Sequence, residues 1–149
     1  MVAAGLAECH VDGVTFLHPS AWRREAQDAE AGSEISLQSE GVTFALVGVY
    51  SPDADPAEAV DEILDALRAE HPGIEVEDLS DRGWKQGGEG AEAVFISLDT
   101  VAYAWLRCWP VGDRRVLVYV QSIEPEAETS FEVFRALCRS VKKFGSEEG

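Results

Sequence analysis

The sequence predicts a single α+β domain: a central antiparallel sheet of about six or seven strands, with helices packed on both faces as an α/β/α sandwich. Three observations predict it. The run from Val101 to Ser122, VAYAWLRCWPVGDRRVLVYVQS, reads as two strands joined by a turn, apolar on both faces, as expected in the middle of a covered sheet. Two stretches, Pro56 to Glu70 and Glu124 to Val141, carry apolar residues at helical spacing. The remaining apolar stretches are short, mostly alternate with polar residues, and are separated by turn residues.

At the start of the chain, His10-Val11 and Gly13 to Leu17 form a short strand region turned at Asp12-Gly13, a strong hairpin dipeptide. Pro19 forces His18 extended and cannot continue a ladder, and Trp22 is expected to fold back as a lid on the core. Arg23 to Gly32 is polar and acidic and reads as a loop or a loose helical turn. Glu34 to Gln38 alternates as a half-buried strand, and Val42 to Tyr50 is a second central strand. Gly48 within it leaves room for close approach of another group.

The first helix has strong start signals. Asp55 can cap, Pro56 suits the first helical position, and Glu58 stands where a capping-box glutamate belongs. Val60, Ile63, Leu64 and Leu67 form its buried stripe. Glu58, Asp61, Glu62 and Asp65 lie opposite and read as a solvated face rather than a carboxylate cluster. His71-Pro72-Gly73 stops the helix. Ile74 to Ser80 is a strand with one wet face, near an edge. Asp81 to Gly90 is a glycine-rich, mobile loop without the Gly-Lys-Ser/Thr of a phosphate loop. Ala91 to Thr100 is the next strand, with Val94, Ile96 and Leu98 on one face and Phe95 on the other.

The hairpin follows, turned at Pro110-Val111-Gly112-Asp113. Symmetric pairing about that turn sets Trp105 opposite Tyr119 and Leu106 opposite Val118. One face then shows Tyr103, Trp105, Arg107, Trp109, Leu117, Tyr119 and Gln121, and the other is small and β-branched. In the last helix Phe131, Phe134, Leu137, Cys138 and Val141 make the apolar stripe. Acids gather at its start and Arg135, Arg139, Lys142 and Lys143 at its end, as the helix dipole favours. Residues 1–144 thus make one domain and 145–149 a frayed tail.

Net charge is −16, from 28 acidic and 12 basic residues, which argues against nucleic acid and anionic membrane surfaces as partners. No apolar run approaches the ~20 residues of a membrane span. With Met1 as the natural start, the N-terminus has no signal peptide, and a cytoplasmic location is expected. The three cysteines, Cys9, Cys108 and Cys138, are odd in number and widely spaced, which suggests reduced thiols. Cys9-His10 with His18 fits no zinc spacing, and neither a Gly-x-Ser-x-Gly elbow nor a His-Glu-x-x-His sequence occurs.

The phrase Gly13 to Trp22, with Phe16-x-x-Pro19-x-x-Trp22 at its heart, resembles the opening of the PsbP-like superfamily. The order of elements behind it is similar over nearly the whole chain: a strand pair, a helix, several strands, an aromatic hairpin and a final helix. The superfamily takes in photosystem II extrinsic subunits, DcrB-like lipoproteins, a Ran-binding import factor and effector-binding chaperones of type VI secretion. The resemblance implies an antiparallel sheet with helices on both sides and a non-catalytic protein-binding module, adaptor- or chaperone-like. No functional residue of the family is carried over. The chain departs from the exported members in lacking a signal peptide and a lipobox cysteine.

The expected partner is therefore another protein, with a homodimer also open, and no cofactor or metal is called for. The candidate binding face is Tyr103, Trp105, Arg107, Trp109 and Tyr119. A carrier of a small apolar ligand, with a closed pocket bordered by Arg107, is one alternative. An enzyme with two convergent titratable groups in a cleft is the other. If the two helices cover opposite faces, the hairpin is structural. If both crowd one side, the aromatic face is left open.

Overall fold

The computed structural model of the chain describes residues 5–29, 32–78 and 88–144. Of the expected loop from Asp81 to Gly90, residues 81–87 lie outside them and Glu89-Gly90 belong to a strand; the strand end at Leu79-Ser80 and the C-terminal tail also lie outside. In chain order the elements are β1 (Leu6–Val11), β2 (Val14–Pro19), β3 (Arg23–Ala29), β4 (Gly32–Gln38), β5 (Phe44–Tyr50) and α1 (Pro56–Glu70). There follow β6 (Glu75–Asp78), β7 (Glu89–Ser97), β8 (Thr100–Val111), β9 (Arg114–Ile123), α2 (Glu124–Ser140) and β10 (Lys142–Lys143). Among the described residues a seven-stranded antiparallel sheet runs β3-β4-β5-β9-β8-β7-β6, and a small sheet runs β1-β2-β10. The fold is α+β, as the patterning predicts.

Local chemistry explains several elements. Asp12 and Gly13 both take positive φ, 46° and 83°, in the two-residue turn between β1 and β2. Asp55 caps α1 by accepting from the Ala57 amide at 3.0 Å, with Pro56 behind it. Val60, Leu64 and Leu67 are buried, while Glu58, Asp61, Glu62 and Asp65 face solvent. Gly48 is a close-approach position: a Cβ there would collide with the Tyr50 phenol, which crosses it to donate to Glu34 Oε2 at 2.7 Å.

Two apolar layers flank the large sheet. On one face Ile35, Leu37, Val47, Trp105, Trp109 and Val118 pack against Phe134, Leu137 and Cys138 of α2, with Phe16 of the small sheet joining them. On the other face Ala93, Phe95, Ala104, Leu106, Leu117 and Tyr119 pack under α1. The helices therefore cover opposite faces. Trp22 is half-buried against the α2 layer, as a lid would be. Leu17 N–H of β2 donates to Ser140 Oγ at 2.9 Å and ties the small sheet to the end of α2.

Four expectations are corrected. Arg23 to Ala29 is a strand, not a loop: its exposed side chains carry no apolar alternation, and backbone pairing with β4 sets it at the sheet edge. The hairpin turn is Gly112-Asp113, with Val111 opposite Arg114 and Gly112 at φ 58°. Pro110 belongs to β8, beyond the last β7 partner, where the strand pairs on one side only and a residue without an N–H is tolerable. The shorter turn shifts the register by one residue, so Trp105 opposes Val120 and Leu106 opposes Tyr119.

The strand expected from Ala91 to Thr100 ends at Ser97, and Leu98-Asp99 is a turn. Its buried side is Ala91, Ala93 and Phe95, while Ile96 and Leu98 are exposed. Finally, α2 stops at Ser140. Val141 turns extended, and Lys142-Lys143 pair with Thr15 and Val14 instead of completing the helix.

Candidate functional site

The five residues expected to form one aromatic face do not share a face. Tyr103, Trp105, Arg107 and Trp109 point towards α2, and Tyr119 points towards α1, because the register is shifted. As an open surface that face is corrected: it is the core. Trp105 is 2% exposed, with Phe131 at 5.3 Å between ring centroids, and its Nε1 donates to Glu92 Oε2 at 2.7 Å. Trp109 and Arg107 are fully buried, and the guanidinium lies 4.1 Å over the Trp109 ring. Burial pushes the Arg107 guanidinium down, opposed by the neighbouring Cys138 and Cys108 thiols. Tyr103 is half-buried and stacks on Trp105 at 5.9 Å. Tyr119, 9% exposed, donates to Gln121 Oε1 at 2.6 Å, and burial pushes its phenol up to about 12.

The thiols are equally inert. Burial raises Cys9, takes Cys108 to about 11 and Cys138 to about 12, so all three stay protonated at neutral pH. A knot of hydroxyls joins the loop before β5 to α2. Thr43 Oγ1 lies 2.8 Å from Ser122 Oγ, Ser130 Oγ and Glu126 Oε1. Thr43, Ser122 and Ser130 are buried, so the knot is a satisfied internal anchor. An open hollow of about 180 Å³ lined by Arg23, Glu25, Ser36, Gln38 and Phe44 lies at the start of β3. Its lining is mostly polar side chains. Among the described residues no group of three or more His, Cys, Asp or Glu side chains is placed to hold a metal ion.

A different surface gathers unusual features. Strand register brings to one end of the large sheet the starts of β3, β5, β6 and β8 and the ends of β4, β7 and β9. There α2 begins directly after β9, and α1 ends, with His71 stacked on Phe95 at 4.2 Å. Four large apolar side chains stay open at this end: Val42 (51% exposed), Phe44, Ile96 (64%) and Leu98 (96%). Around them stand Glu40, Glu70, Glu75, Asp99, Glu124 and Glu128, all exposed, against Arg23 and Arg68. The end is acidic and partly apolar.

Its most exposed point is also its most strained. Leu98 and Asp99 fill the two-residue turn between β7 and β8 at φ 50° and 66°. The left-handed region costs a residue with a Cβ ~1–2 kcal/mol. At 96% exposure, no burial within the chain offsets that cost for Leu98. Sequence reasoning placed Ile96 and Leu98 along a strand and missed this. A turn without Gly or Asn gives no ordinary signal.

No family model matches the chain, and no curated protein matches it significantly. Solved structures do. The Ran-binding protein Mog1p of Saccharomyces cerevisiae is 10% identical, with a TM-score of 0.61 over 95% of this chain and 96% of Mog1p. LpqN, involved in cell envelope biogenesis of Mycobacterium tuberculosis, is 12% identical, with a TM-score of 0.52 over 92% of this chain and 89% of its own. The cyanobacterial PsbP of Synechocystis is 11% identical, with a TM-score of 0.55 over 97% and 95%. The fold is that of PsbP and Mog1p, as the Phe16-x-x-Pro19-x-x-Trp22 resemblance implies. No helix among the described residues is long and apolar enough to cross a membrane.

Proposed function

We propose that the chain is a non-catalytic protein-binding module, adaptor- or chaperone-like, working in the cytoplasm and docking its partner at the acidic end of the large sheet. One observation carries the reading. Val42, Phe44, Ile96 and Leu98 are all open at that end, Phe44 beside Tyr119 on the α1 face and Ile96 on the α2 face, in a chain whose two apolar layers are packed under the helices. The aromatic face has no room for a ligand, since Trp105 and Tyr119 are packed under different helices. The protonated thiols and the internally satisfied hydroxyl knot offer no activated nucleophile. Three free thiols fit a reducing compartment. Likeness of fold to a Ran-binding protein supports binding as the kind of work such a scaffold does.

The test is capture followed by reconstitution. A protein recovered on the immobilised chain is purified, recombined and run by size exclusion. A stoichiometric complex is expected with the wild type and not with a Val42→Ser/Phe44→Ser/Ile96→Ser variant. Failure to form a complex, or one that the triple variant keeps, overturns the proposal.

A further inference from the structure

Three two-residue hairpin turns among the described residues offer an internal comparison. Asp12-Gly13 and Gly112-Asp113 each place a glycine where left-handed backbone is needed. Leu98-Asp99, between Ser97 and Thr100, has no glycine or asparagine. Asp99 tolerates its φ of 66°, as short polar side chains do. Leu98 is the misfit. It is γ-branched and apolar, it sits at φ 50°, and it is almost wholly in solvent. Neither turn chemistry nor the packing of this chain favours leucine there. Ile96, two residues back and also exposed, stands opposite Val101 on the strand that returns. The pair makes an apolar point at the far end of the hairpin.

What would cover that point is indicated by charge. Asp99 is in the turn itself, Glu75 pairs with Val94 on the neighbouring strand, and Glu70 and Glu124 close α1 and open α2 at the same end. Basic side chains gather at the other end: Arg114 and Arg115 beside the Gly112 turn, and Lys142 and Lys143 on β10, with Lys143 3.4 Å from where a Gly112 Cβ would be. A second copy meeting this end with its own acidic end would bring acid against acid, and so would an anionic bilayer. A surface edged with lysine and arginine would not.

We propose that the β7–β8 turn is an anchor: Leu98, with Ile96, inserts into an apolar surface edged by Lys and Arg side chains on a protein partner. This rests on the acidic end being the docking surface, and adds the anchor and the chemistry of what it meets.

The full ¹⁵N-labelled chain is titrated with three peptides of equal length and followed by amide shifts: an amphipathic leucine–lysine peptide, its leucine–glutamate counterpart, and a lysine–serine peptide. Phosphatidylcholine and phosphatidylglycerol vesicles are further arms. Shifts are expected at Ile96 to Asp99 and at Val42 to Phe44 with the leucine–lysine peptide only, weakening as salt is raised. Leu98→Asn suits the turn, so it should keep the fold and weaken that binding by about tenfold. The anchor is overturned if Leu98→Asn binds the peptide as tightly as wild type, if the leucine–glutamate peptide or either vesicle shifts the same amides as strongly, or if no peptide binds. If Leu98→Asn fails in these ways while the Val42/Phe44/Ile96 variant still loses the reconstituted partner, the anchor falls and the docking surface stands. If that variant keeps its partner, the docking surface falls with it.

Discussion

Trp105 and Tyr119 stand on opposite faces of one hairpin, each under a different helix: Trp105 against Phe131 and Phe134 of α2, and Tyr119 within the layer beneath α1. That arrangement makes the aromatic hairpin core. Trp105→Ala should therefore cost about 3–5 kcal/mol in urea unfolding, the range for a buried aromatic truncated to alanine. Tyr103→Ala, at the half-buried margin of the same layer, should cost clearly less. Equal losses at the two sites would contradict the layering.

The strained turn predicts the opposite sign. Leu98→Asn replaces a residue that left-handed backbone disfavours with one that it suits, and it removes no buried surface. The variant should be more stable by about 1 kcal/mol, which raises Tm by roughly 2–4 °C in a chain of this size. A drop in Tm would mean that Leu98 is held by contacts within the chain.

His18 makes a pH-sensitive joint. Its Nδ1 lies 2.9 Å from the Pro19 carbonyl, and its Nε2 lies 3.2 Å from an Nη of Arg24. A guanidinium only donates, so Nε2 accepts and the ring is neutral with its proton on Nδ1. Burial, with the Arg24 charge adding to it against the Pro19 carbonyl, holds His18 below its ordinary value. The unfolded chain then takes up a proton at about pH 6.5 and the folded chain only lower. Stability contributed here is complete above about pH 6.5 and is lost as pH falls below it. Chemical denaturation at pH 7.5 and 5.5 should show a smaller loss for His18→Gln than for wild type.

The hydroxyl knot predicts a cost without any lost volume. Thr43→Val leaves Ser122, Ser130 and Glu126 short of their common partner in a buried setting. It should destabilise the chain by about 1–3 kcal/mol in the same urea assay. A neutral result would mean that the remaining groups re-pair among themselves.

Much of this fold is legible in the sequence, for local reasons. The Asp12-Gly13 turn, the Asp55-Pro56 helix start and the Phe134/Leu137/Cys138 stripe depend on neighbouring residues and on a period of 3.6. What was illegible depends on partners far along the chain. Arg23 to Ala29 is a strand only because β4 offers it an edge. Pro110 reads as turn chemistry, yet the tighter Gly112-Asp113 turn prevails and carries Tyr119 to the other face. The same shift explains why the aromatic side chains read as a binding surface. The acidic end was illegible as a site because Val42 and Leu98, 56 residues apart in sequence, come to the same end of the sheet only through strand order.

A photo-crosslinker placed at the acidic end reports whether a protein partner docks there. The native thiols are buried and protonated, so a benzophenone maleimide should react only with an introduced cysteine. Asp99→Cys and Arg114→Cys chains, labelled and irradiated with the reconstituted partner, sample the two ends of the sheet and leave Leu98 in place. A covalent adduct with the partner is expected from position 99 and little from position 114. Adducts of equal yield from both positions, or from position 114 alone, would contradict docking at the acidic end.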